Sequence, residues 1–349
     1  MSVLYIASLQ RASGKSTFAA GVISRLQSDG IETDYFKPVD LAAEEMLAEG
    51  GNIDLRRLLS LNAQEMTPVV RVTTKGELVP RLSVADQRAK VQAIAEVLAK
   101  KGVAVVEGFS SDTQADGLLT DPEILELLDG KVVLILRYDM EEISGAMRAG
   151  EERFGERLIG VVINRVPEEE VAKVRSRLES EAGQGKRVLG VLPESSILLG
   201  ISVRQLAAAL GGQILTCVER GGEVVENIMI GAITQNKSVD YYRRKAAKAV
   251  VARWDRPDQM LGAVEAAATC LVVTGGQPPL EIIRIRANDA GIPIIQVDDD
   301  TKTTVEKVDS LLGIAPFTER RKLEEVRAIM AARVDFEELY KRLELKVAV

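Results

Sequence analysis

The residues best suited to chemistry lie near the start of the chain, where Gly14-Lys15-Ser16 separates an apolar run at positions 3–7 from a helical pattern. The apolar run predicts a buried strand. Between a strand and a helix, a glycine lets backbone N–H groups approach phosphate oxygens, and the helix N-terminus adds its positive dipole end. Lys15 would bridge the β- and γ-phosphates of ATP, and the Ser16 hydroxyl would ligate Mg²⁺. We therefore predict a phosphate-binding loop formed by Ser13, Gly14, Lys15, Ser16 and Thr17.

The predicted loop departs from the standard spacing. That pattern has a glycine five residues before Gly14, where this chain has Leu9. A loop one residue longer would instead begin at a small residue, Ser8. The alternative is a chance Gly-Lys-Ser sequence at an ordinary helix start. A position directly after the first strand of an alternating strand–helix chain favours the phosphate loop.

Carboxylates near the ends of predicted elements supply the candidate metal ligands. Glu107 ends an apolar run at positions 103–106, and Gly108 follows it. A carboxylate at the carboxyl end of one parallel strand, beside the loop of its neighbour, is well placed to ligate Mg²⁺. Asp54 is a weaker candidate for a second carboxylate, because an exposed aspartate at a helix start looks the same. An ordinary surface position is the alternative for both.

Two further residues fit a nucleotide site. Lys37 follows a predicted strand at positions 31–36 and could place its ammonium at the γ-phosphate or at an acidic substrate. It would then be catalytic together with Lys15, although a turn at the sheet edge explains Lys37-Pro38 equally well. Asn164 ends the apolar run at positions 160–163, where its amide could hydrogen-bond the adenine edge. The alternative is a turn made by Asn-Arg-Val-Pro.

Composition narrows the chemistry further. The 349 residues include no histidine, which excludes a Ser-His-Asp triad, a histidine base and a histidine-ligated metal. A net charge of −7, with only 6 Tyr, 6 Phe and 1 Trp, argues against nucleic-acid and anionic-membrane partners. The 2 cysteines are too few for a disulfide framework, and neither a signal peptide nor a membrane-spanning apolar run is visible. We expect a cytoplasmic protein.

The elements that must position these residues form an alternating pattern. Short apolar runs lack the alternation of half-exposed strands, as expected for strands buried on both faces. They occupy residues 3–7, 103–106, 132–136, 160–163 and 188–192. Amphipathic stretches separate them, which predicts an α/β fold with a parallel sheet. We predict a P-loop NTPase-like parallel sheet domain at 1–212, a smaller α/β domain at 213–315, and an exposed or partner-binding helical tail at 316–349.

The motifs of the first domain resemble those of the dethiobiotin synthetase-like ATPases. The corresponding residues are Ser8 to Gly14, Lys37-Pro38, Val106-Glu107-Gly108 and Asn164. The closer similarity is to the dethiobiotin synthetase-like N-terminal region of long bacterial phosphate acetyltransferases, from whose loop Leu9, Gln10 and Arg11 depart. The resemblance implies ATP and Mg²⁺ as cofactors and, because dethiobiotin synthetases are typically dimers, a homo-oligomer.

The later part of the chain resembles the DRTGG domain that follows this region in those acetyltransferases. Gly275-Gly276, after a buried strand, predicts a tight turn with exposed N–H groups that can bind an anion. Asp255 and Arg256 could face the same ligand, which would make a second ligand loop. A purely structural turn is the alternative. The resemblance implies a regulatory or ligand-sensing module.

Three functions are consistent with these observations. The first is an ATP- and Mg²⁺-binding regulatory protein with slow or no hydrolysis, whose partner is an acetyltransferase or another metabolic enzyme. The second is an ATP-dependent ligase of dethiobiotin synthetase type, in which a substrate carboxyl or carbamate attacks the γ-phosphate to form an acyl phosphate. The third is a degenerate scaffold that binds no nucleotide. In the long relatives the acetyl-transferring domain would begin where this sequence stops, so we expect no acetyltransferase activity from it.

Overall fold

The computed structural model describes residues 2–41, 55–61, 68–72, 77–98, 102–110, 116–138, 143–181, 188–231, 238–311, 317 and 319–345. These residues form two compact units. The first contains the described residues up to Ser195 together with those from Leu323 onward, and the second runs from Ser196 to Lys322. Asp54, the weaker metal candidate, lies outside the described residues.

The first unit has alternating strands and helices. Its strands are β1 (Ser2–Ser8), β2 (Thr33–Phe36), β3 (Val39–Leu41), β4 (Val70–Val72), β5 (Leu78–Val79), β6 (Val103–Ser110), β7 (Lys131–Arg137), β8 (Leu158–Val166) and β9 (Val188–Pro193). Its helices before Ser195 are α1 (Lys15–Ser28), α2 (Leu55–Leu58), α3 (Val84–Leu98), α4 (Asp121–Leu127), α5 (Ile143–Phe154) and α6 (Val171–Glu181).

A parallel sheet with the order β2-β6-β1-β7-β8-β9 forms the centre of this unit. Its strands are buried on both faces, as the unbroken apolar runs predict. In parallel strands all carboxyl ends meet at one edge of the sheet, which brings together the loops that follow β1, β6 and β8. The predicted P-loop NTPase-like fold is therefore confirmed for this unit. A small separate sheet has the order β3-β4-β5.

The second unit contains a five-stranded sheet and a separate strand pair. The strands of the unit are β10 (Ile201–Ser202), β11 (Gln213–Ile214), β12 (Val224–Val225), β13 (Asn227–Ile230), β14 (Lys248–Arg253), β15 (Cys270–Thr274) and β16 (Ile294–Gln296). Its helices are α7 (Ser196–Leu199), α8 (Val203–Ala209), α9 (Ser238–Tyr242), α10 (Pro257–Glu265), α11 (Glu281–Asp289) and α12 (Thr301–Leu311). The sheet order is β11-β16-β15-β14-β13, parallel except for β11, and β10 pairs with β12.

The tail forms two helices, α13 (Arg320–Arg333) and α14 (Phe336–Arg342), as predicted. The expectation that the pair is exposed is wrong for its apolar side, because Met330 and Leu339 are buried. Within the first unit, Val334 bridges to Gly190 at the β9 edge, and Tyr340 donates a hydrogen bond to Asp29 at 2.7 Å. Covering an edge strand removes unpaired backbone groups from solvent, which explains why the tail folds back onto this unit.

The predicted boundaries at residues 212 and 315 stay proposals, and the contact grouping adds one observation to them. Helix α8 packs in a core of the second unit together with β14 and α12, although its position in the sequence suggested the end of the first domain. In the part of the chain that the structure describes, no helix is both long enough and apolar enough to cross a membrane.

Candidate functional site

The loop between β1 and α1 has the geometry of a helix N-terminus open to a ligand. Gly14 precedes the first helical residue, Lys15, with φ of 95°, a left-handed conformation that favours glycine. The first N–H groups of a helix have no partner within the helix and so point out of its start. Gln10 closes the loop behind them, because its carbonyl accepts hydrogen bonds from the hydroxyls of Ser8 and Ser13, both at 2.8 Å.

Lys15 spans this loop. Its Nζ atom donates to Ser8 Oγ at 2.8 Å, so its ammonium lies beside the first residue of the loop. The contact agrees with the longer loop that starts at Ser8. A lysine held across a loop in this way supplies positive charge in front of the helix start, where the phosphates of a nucleotide would lie.

Ser16 and Glu107 form the candidate metal pair. Ser16 Oγ donates to Glu107 Oε1 at 2.7 Å, although the two residues are 91 positions apart in the chain. The phenol of Tyr35 donates to the other oxygen, Oε2, at 2.6 Å, and Glu107 is only 3% exposed. A hydroxyl and a carboxylate are oxygen ligands of the kind that Mg²⁺ takes together with substrate phosphates. The donor set therefore fits the Mg²⁺ that the loop implies.

A second buried carboxyl lies on the other side of the strand that carries Glu107. Asp121, at the start of α4, accepts hydrogen bonds from the phenol of Tyr5 and from the N–H of Phe109. Gly108 has no room for a side chain, since an added Cβ would lie 2.5 Å from the ring of Tyr5. Burial raises the pKa of the Asp121 carboxyl to about 6, against the opposing effects of the hydrogen bond from Tyr5 and of the charge on Lys15. Asp121 and Tyr5 therefore fix the chain directly after Glu107.

Asn164 reaches the loop itself. Its Nδ2 atom donates to the carbonyl of Ser13 at 2.9 Å, and it would lie 2.1 Å from a Cβ atom added at Gly14. The side chain thus braces the turn before α1 from the end of β8. A contact with adenine, which the sequence suggested, stays a prediction. Thr17 lies in the first turn of α1, next to the metal candidate Ser16.

Lys37 has a partner of its own. Its Nζ atom lies 3.6 Å from Asp40 Oδ1, and the two side chains are 21% and 11% exposed. This ion pair fits a turn beside β2, and a catalytic role for Lys37 stays a prediction.

The structure brings Lys15, Ser16, Glu107 and Asn164 to one edge of the sheet. Sequence reasoning missed Tyr35 and Asp121, because a tyrosine in an apolar strand and an aspartate at a helix start carry no distinctive signal.

The second predicted ligand loop has a different structure. The N–H groups of Gly275 and Gly276 donate to the carbonyls of Asp299 and Val297 at 2.9 and 3.0 Å. The expectation that these N–H groups are exposed for an anion is therefore wrong. The turn instead uses them to join the loop after β15 to the chain after β16. Both glycines have positive φ, 94° and 72°, which explains their residue type.

The two charged residues beside this turn, Asp255 and Arg256, each have an ion-pair partner. Arg256 forms a two-contact ion pair with Asp258, at 3.0 and 2.9 Å, and Asp255 lies 3.0 Å from Arg253. These contacts fit the structural alternative for Asp255 and Arg256. A ligand role for this second loop stays a prediction. Because the N–H groups of Gly275 and Gly276 already have acceptors, a ligand would have to contact the side chains of Asp255 and Arg256.

Comparison with known proteins agrees with this geometry. A family model described as an AAA domain matches residues 2–201, and a model of the DRTGG domain matches residues 205–311. The phosphate acetyltransferase of Pseudomonas putida is 25% identical over an alignment of 372 positions, which covers 98% of this chain and 52% of that protein. The Synechocystis phosphate acetyltransferase is 20% identical over an alignment of 363 positions, which covers 97% of this chain and 51% of that protein. The chain thus spans about half the length of these curated relatives.

Solved structures share a lower sequence identity with this chain than these relatives do. The CBS and DRTGG domains of the regulatory region of Clostridium perfringens pyrophosphatase, complexed with the activator diadenosine tetraphosphate, are 14% identical, with a TM-score of 0.31 over 46% of this chain and 82% of that chain. The Aquifex aeolicus cell division protein MinD is 18% identical, with a TM-score of 0.37 over 57% of this chain and 85% of that chain. Because the AAA domain model matches more than half of the sequence, the chain belongs to the AAA domain family, and it carries a DRTGG domain after that domain, as in the N-terminal half of phosphate acetyltransferases.

Proposed function

We propose that the protein is a nucleotide-binding regulatory protein that holds ATP and Mg²⁺ and hydrolyses ATP slowly or not at all. The observation that carries the proposal is the 2.7 Å contact between Ser16 and Glu107 at the start of α1. It places a hydroxyl and a carboxylate within the reach of one cation, beside a lysine and a helix N-terminus. When bound, Mg²⁺ would neutralise charge on the β- and γ-phosphates.

The same contacts support binding rather than rapid turnover. Both oxygens of Glu107 accept hydrogen bonds, from Ser16 and Tyr35, which suits a ligand held near a metal better than a base that activates water. The chain has no histidine to take that role. Catalysis would then depend on positioning and charge neutralisation by Lys15, with Lys37 as the further candidate.

The DRTGG domain supports a regulatory role for the bound nucleotide. We propose that it responds to the state of the phosphate loop and that the protein acts on a metabolic enzyme, as a homo-oligomer. The relatives named phosphate acetyltransferase, which this chain matches over 98% of its length, make an acetyltransferase the first partner to test. Co-purification of the two proteins, with and without ATP, would test that partnership.

Thermal unfolding with ATP and Mg²⁺ tests the nucleotide site. We expect a stabilisation that is lost when EDTA is added and in Lys15→Ala, because both remove positive charge that faces the phosphates. Lys90→Ala is the matched control, since Lys90 is an exposed lysine on α3. Phosphate release measured in the same samples should be close to background.

The other outcomes separate the alternatives. Phosphate release that rises with a small carboxylate or a diamine would favour the ligase. The absence of any thermal shift with ATP and Mg²⁺, in both the wild-type protein and Lys15→Ala, would favour the scaffold and contradict both nucleotide hypotheses.

A further inference from the structure

A cavity lies beside the phosphate loop, on the side of β7. Its volume is about 450 Å³, within the range of small-molecule sites. The phosphate loop forms one wall with Leu9, Gln10 and Ser13, and the end of β7 and one side of α5 form the rest. Of this wall, only Ser13 belongs to the predicted phosphate-binding residues, and the rest of the cavity has no assigned role.

The topology explains why a cavity forms there. After β1 the chain runs through α1 to β2, which lies on one side of β1 in the sheet order. After β7 it runs through α5 to β8, which lies on the opposite side of β1. The two connections diverge and leave a crevice above the carboxyl ends of β1 and β7. Ligands of open α/β sheets bind at such switch points.

In the described part of the chain, the lining combines apolar walls with one cation. Aliphatic side chains and small residues form most of it: Leu9, Ile135, Leu136, Ile143, Gly145, Ala146 and Ala149. Among the lining residues that the structure describes, the polar ones are Gln10, Ser13 and Arg137, the last residue of β7. Such a surface accommodates a ligand with an aliphatic body and one anionic group.

The charged groups that interact around Arg137 favour an anion over a cation. Arg165 follows Asn164, the register partner of Arg137 on the neighbouring strand. Burial lowers the pKa of Arg165, the nearby positive charge of Arg137 lowers it further, and Glu194 raises it. These three groups together carry one net positive charge, so an anion would relieve the repulsion between the guanidinium groups. The same charge disfavours an amine-bearing ligand.

We propose that this cavity binds a small aliphatic carboxylate, with its carboxylate on Arg137 and its alkyl chain between β7 and α5. Because Gln10 and Ser13 line the cavity and also close the phosphate loop, the bound carboxylate stabilises the loop and tightens nucleotide binding. This coupling rests on the proposed function, whereas binding of the carboxylate alone does not.

Calorimetric titration of the whole chain with hexanoate, without nucleotide, tests the site. Affinity should rise about fourfold for each added methylene from butanoate to hexanoate. Arg137→Gln should weaken hexanoate binding about tenfold or more, because it removes a charged hydrogen bond. Arg148→Gln is the matched control, since Arg148 is exposed on α5 and does not line the cavity. Ala149→Leu, at an exposed position, should block binding by filling the cavity.

Several results would overturn the proposal: no hexanoate binding, equal affinity for hexanol, unchanged affinity in Arg137→Gln, or simple competition between hexanoate and ATP. Saturating hexanoate should instead tighten ATP binding about fivefold. If hexanoate binds as described and ATP does not bind at all, the cavity stands and the proposed nucleotide function fails. If ATP binds and hexanoate does not, only the present proposal fails.

Discussion

The two units each place a glycine turn at the carboxyl end of a buried parallel strand, yet the two turns lead into different structures. In the first unit, α1 begins directly after Gly14, so the helix start lies at the turn. In the second unit, α11 begins only at Glu281, and the N–H groups of Gly275 and Gly276 already donate to neighbouring carbonyls. A glycine turn therefore offers an anion site only when the helix starts within it and its N–H groups are not used internally.

The supports of the two turns differ as well. Titratable groups surround the first turn, with Glu107 bound by Ser16 on one side of β6 and Asp121 on the other. In the second unit, Thr274 and Thr301 share a neutral hydrogen bond of 2.8 Å at the same end of the sheet. We therefore expect nucleotide and metal effects, and the pH effect of a buried carboxyl, to originate in the first unit.

A pair of glycine substitutions gives the largest expected contrast. Gly14→Ala should weaken ATP binding about 100-fold, because the turn has positive φ and the new Cβ would collide with Asn164, which misplaces the loop. Gly276→Ala has more space, with Asp298 at 3.4 Å, and should only destabilise the fold by about 1–2 kcal/mol. Titration with ATP and denaturant unfolding measure the two effects. Equal ATP affinities in both variants would remove the distinction between the turns.

Stability should depend on pH through Asp121. Its pKa is raised to about 6 from 3.8, so the folded protein binds a proton between these values that the unfolded chain releases. Stability should therefore fall as pH rises from about 4 to about 6, by up to about 3 kcal/mol from this group. Asp121→Asn should flatten that part of the pH profile in denaturant unfolding. A profile unchanged by the substitution would contradict the assignment, and Asp129→Asn, at an exposed carboxyl, is the control.

Removal of the candidate metal carboxylate, Glu107, should weaken ATP binding somewhat less than Gly14→Ala. Glu107→Gln keeps the side-chain volume but loses the charge, so the affinity for ATP with Mg²⁺ should fall about 10- to 100-fold. Tyr35→Phe removes only the hydrogen bond to Glu107 Oε2, so it should lower the affinity for ATP with Mg²⁺ by a smaller factor. Titration of ATP with and without Mg²⁺ measures both. Variants that retain the full effect of Mg²⁺ would show that Glu107 is not a metal ligand.

Asn164 should give the smallest change and the sharpest distinction of roles. If the side chain braces the loop through Ser13, Asn164→Ala should weaken the binding of ATP, GTP and inorganic tripolyphosphate alike, by about 10-fold for a lost, partly buried hydrogen bond. An adenine contact would instead affect ATP and leave tripolyphosphate unchanged. Competition titrations with the three ligands decide between these roles.

The part of the site that the sequence predicts is local. Gly14, Lys15 and Ser16 are neighbours in the chain, and Glu107 and Asn164 each end an apolar strand, so parallel-sheet geometry alone brings them to one edge. The structure keeps this arrangement. The longer loop beginning at Ser8 also follows from spacing, and the contact with Lys15 agrees with it.

The parts that the sequence does not predict depend on contacts between distant segments. Strand β14 was not predicted, although it lies within the second sheet, between β13 and β15. The environment of Asp121 depends on Tyr5, 116 positions away, and no local pattern signals such a pair. The tail pattern predicts helices but not the edge of β9 on which they lie. The N–H groups of Gly275 and Gly276 are occupied by carbonyls from another strand end, which a turn motif alone does not reveal.

The most direct test of the central contrast is the number of nucleotide sites per chain. Calorimetric titration of the wild-type protein with ATP and Mg²⁺ should give one site, which Lys15→Ala removes and Gly276→Ala retains. A nucleotide site that survives Lys15→Ala, or that disappears in Gly276→Ala without loss of the fold, would contradict the assignment of nucleotide binding to the first unit.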